Sequence, residues 1–250
     1  MENLIKNELE LLSLEILPCR EPIPSHLRSK YIEAYNLWHR VWSSTLNKLD
    51  GLKHLHSNEF TRHDFCSVIF RGETAVGLFC YSEIDPSMQT RLNDSWFAAW
   101  PKEILFEIGK HYKRGLMPAW LAVAPEYRRS KNYYPINLGQ IVMETYAQLI
   151  LEYKYEIGFG TTRNDRGVNK LISGTGGTKV GSAVDHGVDV DLICMHPEVV
   201  EDHSTNFSLE HKYLWKNRKD HWRGNYEKKS IVHKANVPSG TSNFRLTLER

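Results

Sequence analysis

The chain has 250 residues, 41% hydrophobic, 11% aromatic and 25% charged, the composition of a soluble globular protein with enough apolar mass for a sizeable core. Thirty-two Lys and Arg stand against 30 Asp and Glu, a formal net charge of +2, too balanced for nucleic-acid binding by the whole surface. No apolar run approaches the roughly 18 residues that span a bilayer, and the acidic, amphipathic start MENLIKNELELL is unlike a secretory signal.

Residues 1–24 read as a short amphipathic helix and an extended stretch interrupted by Pro18, Pro22 and Pro24, an N-terminal appendage to a domain that begins at residue 25. From residue 25 to 49, Leu27, Tyr31, Ala34, Tyr35, Trp38, Val41 and Trp42 recur at helical spacing and predict one buried stripe. Residues 65–70 and 75–81 predict two strands about a tight turn containing Gly72. Residues 86–117 read as an excursion from the sheet with a helix near 102–112. The run 119–124 is apolar throughout, as in a strand covered on both faces. A helix is expected over 135–153, with Pro135 in its first turn, then a strand at 155–162, a short helix at 165–173 and a strand at 184–195. Cys66, Cys80 and Cys194 lie in apolar runs, Cys19 stands apart, and no CxxC pair occurs, which predicts buried thiols in a reducing, cytoplasmic setting.

Between the strand ending at Ala124-Pro125 and the helix containing Gly139 lie Arg128, Arg129, Ser130 and Lys131. Unpaired backbone N–H groups and the positive end of the helix dipole favour an anion there, and neighbouring guanidinium groups strengthen it. A solvated basic loop is the alternative reading of the same residues.

The run Leu121-Ala122-Val123-Ala124-Pro125-Glu126-Tyr127-Arg128 resembles the fourth strand and donor-loop start of the GCN5-related N-acetyltransferase superfamily. Asn164-Asp165-Arg166-Gly167-Val168-Asn169-Lys170-Leu171, after the strand at 156–162, is similar to that family's fifth strand and following helix. With the hairpin at 65–81, the resemblance covers residues 25–197. Residues 177–192 look somewhat like the branch containing N-acyl amino acid synthases and acyl-homoserine lactone synthases. The resemblance implies an α/β fold with a mixed central sheet flanked by helices. It also implies an acyl-CoA or acyl-carrier-protein thioester as co-substrate and direct attack by an amine. Val123 would supply the backbone N–H that polarises the thioester carbonyl. Arg128, Arg129, Ser130 and Gly139 would hold the donor's phosphates, and Asn164 and Asn169 would contact its pantetheine.

Two features depart from the family pattern. The loop is long and lacks close-packed glycines, and Leu171 stands where a tyrosine often protonates the leaving thiolate. The general base is left open among Glu83, Asp85, Glu126 and the adjacent Asp185-His186, with Glu126 and His186 preferred because a base must lie near the splayed strands and titrate near neutrality. The run 174–179 lacks the Gly-Lys-[Ser/Thr] order of a phosphate loop, and no HExxH motif or paired cysteines point to a metal.

Residues 198–250 read as a basic, aromatic extension. Its segment 211–234 carries eight Lys or Arg against two acids, with Tyr213, Trp215, Trp222 and Tyr226 interleaved, and residues 235–250 resemble a flexible tail. The basic segment could meet RNA, an anionic surface or an acidic acyl carrier protein, or fold back as a solvated helix. The reading is an N-acyltransferase acting on a small-molecule or peptide amine; a silent sensor of the same fold and an RNA-binding protein compete with it.

Overall fold

The structure is a computed structural model that describes residues 2–128 and 134–223. After α1 (Glu2–Glu10) come β1 (Leu12–Pro18), α2 (Arg28–Asp50) and the hairpin of β2 (Phe65–Arg71) and β3 (Thr74–Ile84). Next is α3 (Lys102–His111), which leads into β4 (Gly115–Val123); α4 (Leu138–Glu152) then precedes β5 (Ile157–Arg163). The remaining elements are α5 (Val168–Ser173), β6 (Gly177–Asp185), β7 (Val188–Met195), α6 (Pro197–Ser204), α7 (Leu209–Lys216) and β8 (Lys219–Asp220). The eight strands form one mixed sheet in the order β6-β7-β5-β4-β3-β2-β1-β8. Adjacent strands are antiparallel except at β4–β5 and β1–β8.

The sheet is covered on both faces because its strands alternate apolar residues to each side. Val76, Phe79 and Tyr81 of β3 join the core under α4, while Leu78 and Cys80 meet the stripe of α2 that buries Ala34, Leu37, Trp38 and Val41. Farther along the α2 face, Ile84 and Met117 pack with Leu105 and Ile108 of α3. α2 ends where Gly51, at φ 65°, donates its N–H to the Asn47 carbonyl and the next N–H, of Leu52, reaches that of Leu46, a left-handed cap that costs a glycine little. The four cysteines are buried and free, and no described helix is long and apolar enough to cross a membrane.

The structure corrects several expectations. Residues 1–24 are no appendage: β1 pairs with β2 along its whole length and buries Leu14, Ile16 and Leu17. The excursion after β3 ends sooner than expected, since β4 starts at Gly115. Pro135 precedes α4, which starts at Leu138 with the Asn137 side chain capping the Gln140 N–H; a capping Asn outranks Pro as the start signal here. The expected strand at 184–195 is the second half of a hairpin that turns at His186 (φ 49°) and Gly187 (φ 69°).

The C-terminal extension is part of the fold up to residue 223. Trp215 Nε1 donates to Glu152 Oε2 (3.0 Å), the Tyr153 hydroxyl donates to Asp220, and Trp222 stacks on Phe65 at 5.3 Å. The rest of the basic stretch and the expected tail lie outside the described residues. β8 lies beside β1 over Glu15, whose fully buried carboxylate accepts from Lys30 and is approached by His221 Nε2 (3.1 Å) and Lys219 Nζ (3.7 Å).

Candidate active site

β4 and β5 run parallel but pair only at Gly115↔Ile157 and Leu116↔Gly158. Beyond Leu116, among the described residues, β4 pairs with β3 alone and β5 with β7 alone, so the two strands part into a cleft. Two features hold it open. In β4 the register against β3 shifts between Leu78 and Cys80, and Trp120 adopts φ 64°. This bulge switches the residues on the α2 face from Met117 and Ala119 to Ala122 and Ala124 and turns the strand end. At the divergence point the Tyr146 hydroxyl of α4 donates between the Leu116 and Phe159 carbonyls (3.2 and 2.7 Å). Burial raises the pKa of that phenol well above its ordinary value, so it remains a donor. Gly158 makes room for it: a Cβ there would lie 2.4 Å from the Tyr146 oxygen and 2.5 Å from Ile150 Cδ1.

Val123 sits at the open end. The Ala124 N–H donates to the Val76 carbonyl (2.9 Å), and Val123 is opposite Gly77. Since successive residues of an antiparallel ladder point alternately toward and away from the partner strand, the Val123 N–H and C=O face the cleft. Arg128 Nε donates to that carbonyl at 3.0 Å. The Arg128 guanidinium is held below its usual pKa by burial and then by the positive charge of Arg166, with Arg40 adding to the effect and Glu126 opposing it. The mouth of the cleft is therefore electropositive, from both strand ends. Two carboxylates temper it, Glu126 against Arg40 (3.1 Å) and Asp165 against Arg163 (2.7 Å) and Arg166 (3.3 Å). Gly139, second residue of α4, carries one of the N–H groups that a helix leaves without an intrahelical acceptor. A Cβ there would make only ordinary contact with Leu171 Cδ1 at 3.5 Å, so crowding does not require glycine. Arg129 and Ser130 lie outside the described residues.

The asparagines expected at the donor are committed elsewhere. Asn164 and Asn169 both donate to Asp191 (3.2 and 3.4 Å), which also pairs with Lys179 (2.7 Å); Lys179 and the two amides hold the Asp191 carboxyl below its usual range. The Asn164 Oδ1 is buried without a partner among the described residues. Leu171 packs against the main core.

The base candidates separate by position. Glu83 is opposite Leu116 and accepts from the Tyr155 hydroxyl, and Asp85 accepts from the Ser87 N–H and hydroxyl (2.9 and 2.6 Å). They lie at the closed end, about 20 Å along β4 from Val123 at roughly 3.3 Å per residue, and are no longer candidates. Glu126 is half-exposed in its ion pair with Arg40. His186, in the β6–β7 turn, brings Nδ1 to 2.6 Å from Asp50 at the end of α2; Asp185 precedes it at the end of β6. An apolar groove of about 380 Å³ lined by Ile104, Ile108 and Val180 also reaches Ile157 at the closed end, away from the mouth. No group of three or more His, Cys, Asp or Glu among the described residues is placed to hold a metal ion.

Tyr146 and the Trp120 bulge escaped sequence reasoning. Tyr146 looks like any core aromatic of α4, and its role depends on carbonyls 30 and 13 residues away.

Solved structures share this fold. The acyl-homoserine lactone synthase LasI superposes with a TM-score of 0.52 at 12% identity, covering 79% of this chain and 96% of its own. A Drosophila melanogaster polyamine N-acetyltransferase gives 0.51 at 13%, covering 74% and 99%, and a mosquito arylalkylamine N-acetyltransferase-like protein gives 0.50 at 14%, covering 74% and 100%. The fold is that of the GCN5-related N-acetyltransferases. At these identities the likeness establishes the fold alone. No family model matches the sequence, and the search of curated proteins found no match to it.

Proposed function

We propose that the chain is an N-acyltransferase that moves an acyl group from an acyl-CoA or acyl-carrier-protein thioester to a small-molecule or peptide amine by direct attack. The observation that carries this reading is the unpaired edge of β4 ending at Val123 beside an electropositive mouth. A pantetheine arm is an extended chain bearing two amides, and it can pair with that edge as an added strand. The donor's phosphates then meet Arg128, Arg129, Ser130 and the N-terminus of α4 at Gly139, while the Asn164 carbonyl oxygen is available to a pantetheine N–H. The Val123 N–H donates to the thioester oxygen as negative charge develops on it. The amine nitrogen forms a bond to the carbonyl carbon, the C–S bond breaks, and the thiolate leaves with the electron pair and takes up the proton that the nitrogen sheds as it becomes an amide.

Of the bases preferred from sequence, His186 fits better than Glu126. Asp50 engages its Nδ1 and leaves the Nε2 lone pair to take the ammonium proton, whereas Glu126 is engaged by Arg40. An acidic carrier protein fits the same positive mouth, and free buried thiols fit a cytoplasmic protein. The similar proteins act, by their names, in acetyl transfer to polyamines and arylalkylamines and in acyl-homoserine lactone synthesis, which supports transfer to an amine.

The decisive assay is thiol release from a panel of acyl-CoA and acyl-carrier-protein thioesters against mixed amines. Release that depends on an amine is expected, with donor affinity lowered about tenfold in Arg128→Ala, as for a charged hydrogen bond. Leu171 in place of a proton donor favours a second reading, a sensor of acyl thioesters. Stabilisation by coenzyme A without thiol release would establish that reading instead. RNA binding keeps less of its aromatic support, because Trp215 and Trp222 pack against the core while Tyr213 alone of the four stands exposed among the described residues.

A further inference from the structure

Tyr127 and Tyr134 flank the segment that carries Arg128, one on each side. Their rings meet edge to face, with centroids 5.1 Å apart and planes at 85°. The Tyr134 hydroxyl donates to Glu8 Oε1 (2.9 Å), and Arg71 Nε donates to the same oxygen (2.5 Å). Glu8 belongs to α1 and Arg71 to the end of β2. Residues far apart in sequence thus converge on one aromatic pair beside Arg128. The family's donor loop relies on close-packed glycines to hold its shape; here a pair of rings stands at the two stems.

We propose that Glu8 is a positioning residue for the acyl donor: by holding Tyr134 against Tyr127 it fixes the separation between Arg128 and the first turn of α4, so that both face one anionic group. This rests on the acyl-donor reading of the cleft. The carboxylate has a reason to be charged: hydrogen bonds from Arg71 and Tyr134 and the charge of Arg71 together outweigh its burial and hold its pKa below the usual range. Tyr134 is raised by burial and by the same carboxylate, so it stays a donor. A staple that only fixed α1 to the sheet would need Arg71 and Glu8 alone. The third member, on the donor side, is what the structural role leaves unexplained.

Tyr134→Phe removes the hydroxyl and keeps the ring on Tyr127; Glu8→Gln keeps the shape and removes the charge. Both variants, in the full chain, are compared with the parent by calorimetric binding of coenzyme A and by steady-state kinetics with an acyl-CoA. Each is expected to weaken coenzyme A binding and to raise the donor KM by about tenfold, with kcat and the acceptor KM changed less than about twofold. Variants that melt earlier yet bind coenzyme A as the parent does would overturn the positioning role and leave the acyl-donor reading intact. A parent chain that binds no coenzyme A would overturn that reading itself.

Discussion

Along β3, β4 is paired from Gly115 to Val123, broken only at the Trp120 bulge; along β5 it is paired at Gly115 and Leu116 alone. The same strand is a core element on one side and a binding edge on the other. Strand propensity cannot produce that difference, because both sides belong to one run of residues. It comes from a bulge that re-aims the strand and from a phenol at the branch point that takes two carbonyls across which the strands diverge. Open strand edges invite unwanted pairing, and an edge kept inside a cleft is shielded from it.

Acid should test the closed framework most severely. His63 is held by burial at a pKa of about 3 and His211 likewise at about 4, against about 6.5 in an unfolded chain. Because the folded values are depressed, the native state binds fewer protons. The stability contributed is present in full above about pH 6.5 and is lost as pH falls toward 4 and then 3. Between pH 6.5 and 5 the loss is about 2 kcal/mol for each histidine, readable as a fall in urea midpoint. A flat profile over that range would mean that both imidazoles reach water.

The branch point comes next. Gly158→Ala pushes a methyl into the Tyr146 oxygen and Ile150, and overpacking of this kind costs about 3 kcal/mol; chemical denaturation measures it, and an unperturbed variant would show that the site relaxes freely. Tyr146→Phe is milder. It leaves two buried carbonyls without their shared donor, a loss of about 2 kcal/mol. Coenzyme A binding by this variant sharpens the comparison: affinity should fall if the hydroxyl keeps the strands apart and stay level if the bulge alone does so.

Much of the framework was legible because its signals are local. The α2 stripe, the hairpin about Gly72 and the apolar β4 run each declare themselves within about ten residues. The β6–β7 turn did not, since Asp185-His186-Gly187 interrupts a run of alternating residues and its His186 takes a left-handed backbone more often filled by Gly or Asn. Arg128 and Val123 were legible as the end of a strand and its loop. Asn164 and Asn169 were named from family resemblance, and their partner Asp191 lies 27 and 22 residues downstream. Base candidates divided only in three dimensions, because an identical carboxylate can stand at either end of a strand.

The arrangement around Glu15 carries a consequence for how the sheet is completed. His221 stands 206 residues after Glu15 in the chain, yet with Lys219 it reaches the buried carboxylate of β1. Without those residues, one margin of the sheet holds an ion with Lys30 as its companion, an under-compensated buried charge of the sort that is costly to keep. Completion of that margin therefore waits on residues 219–221, and a chain cut before residue 219 is expected to be less stable than one that contains them.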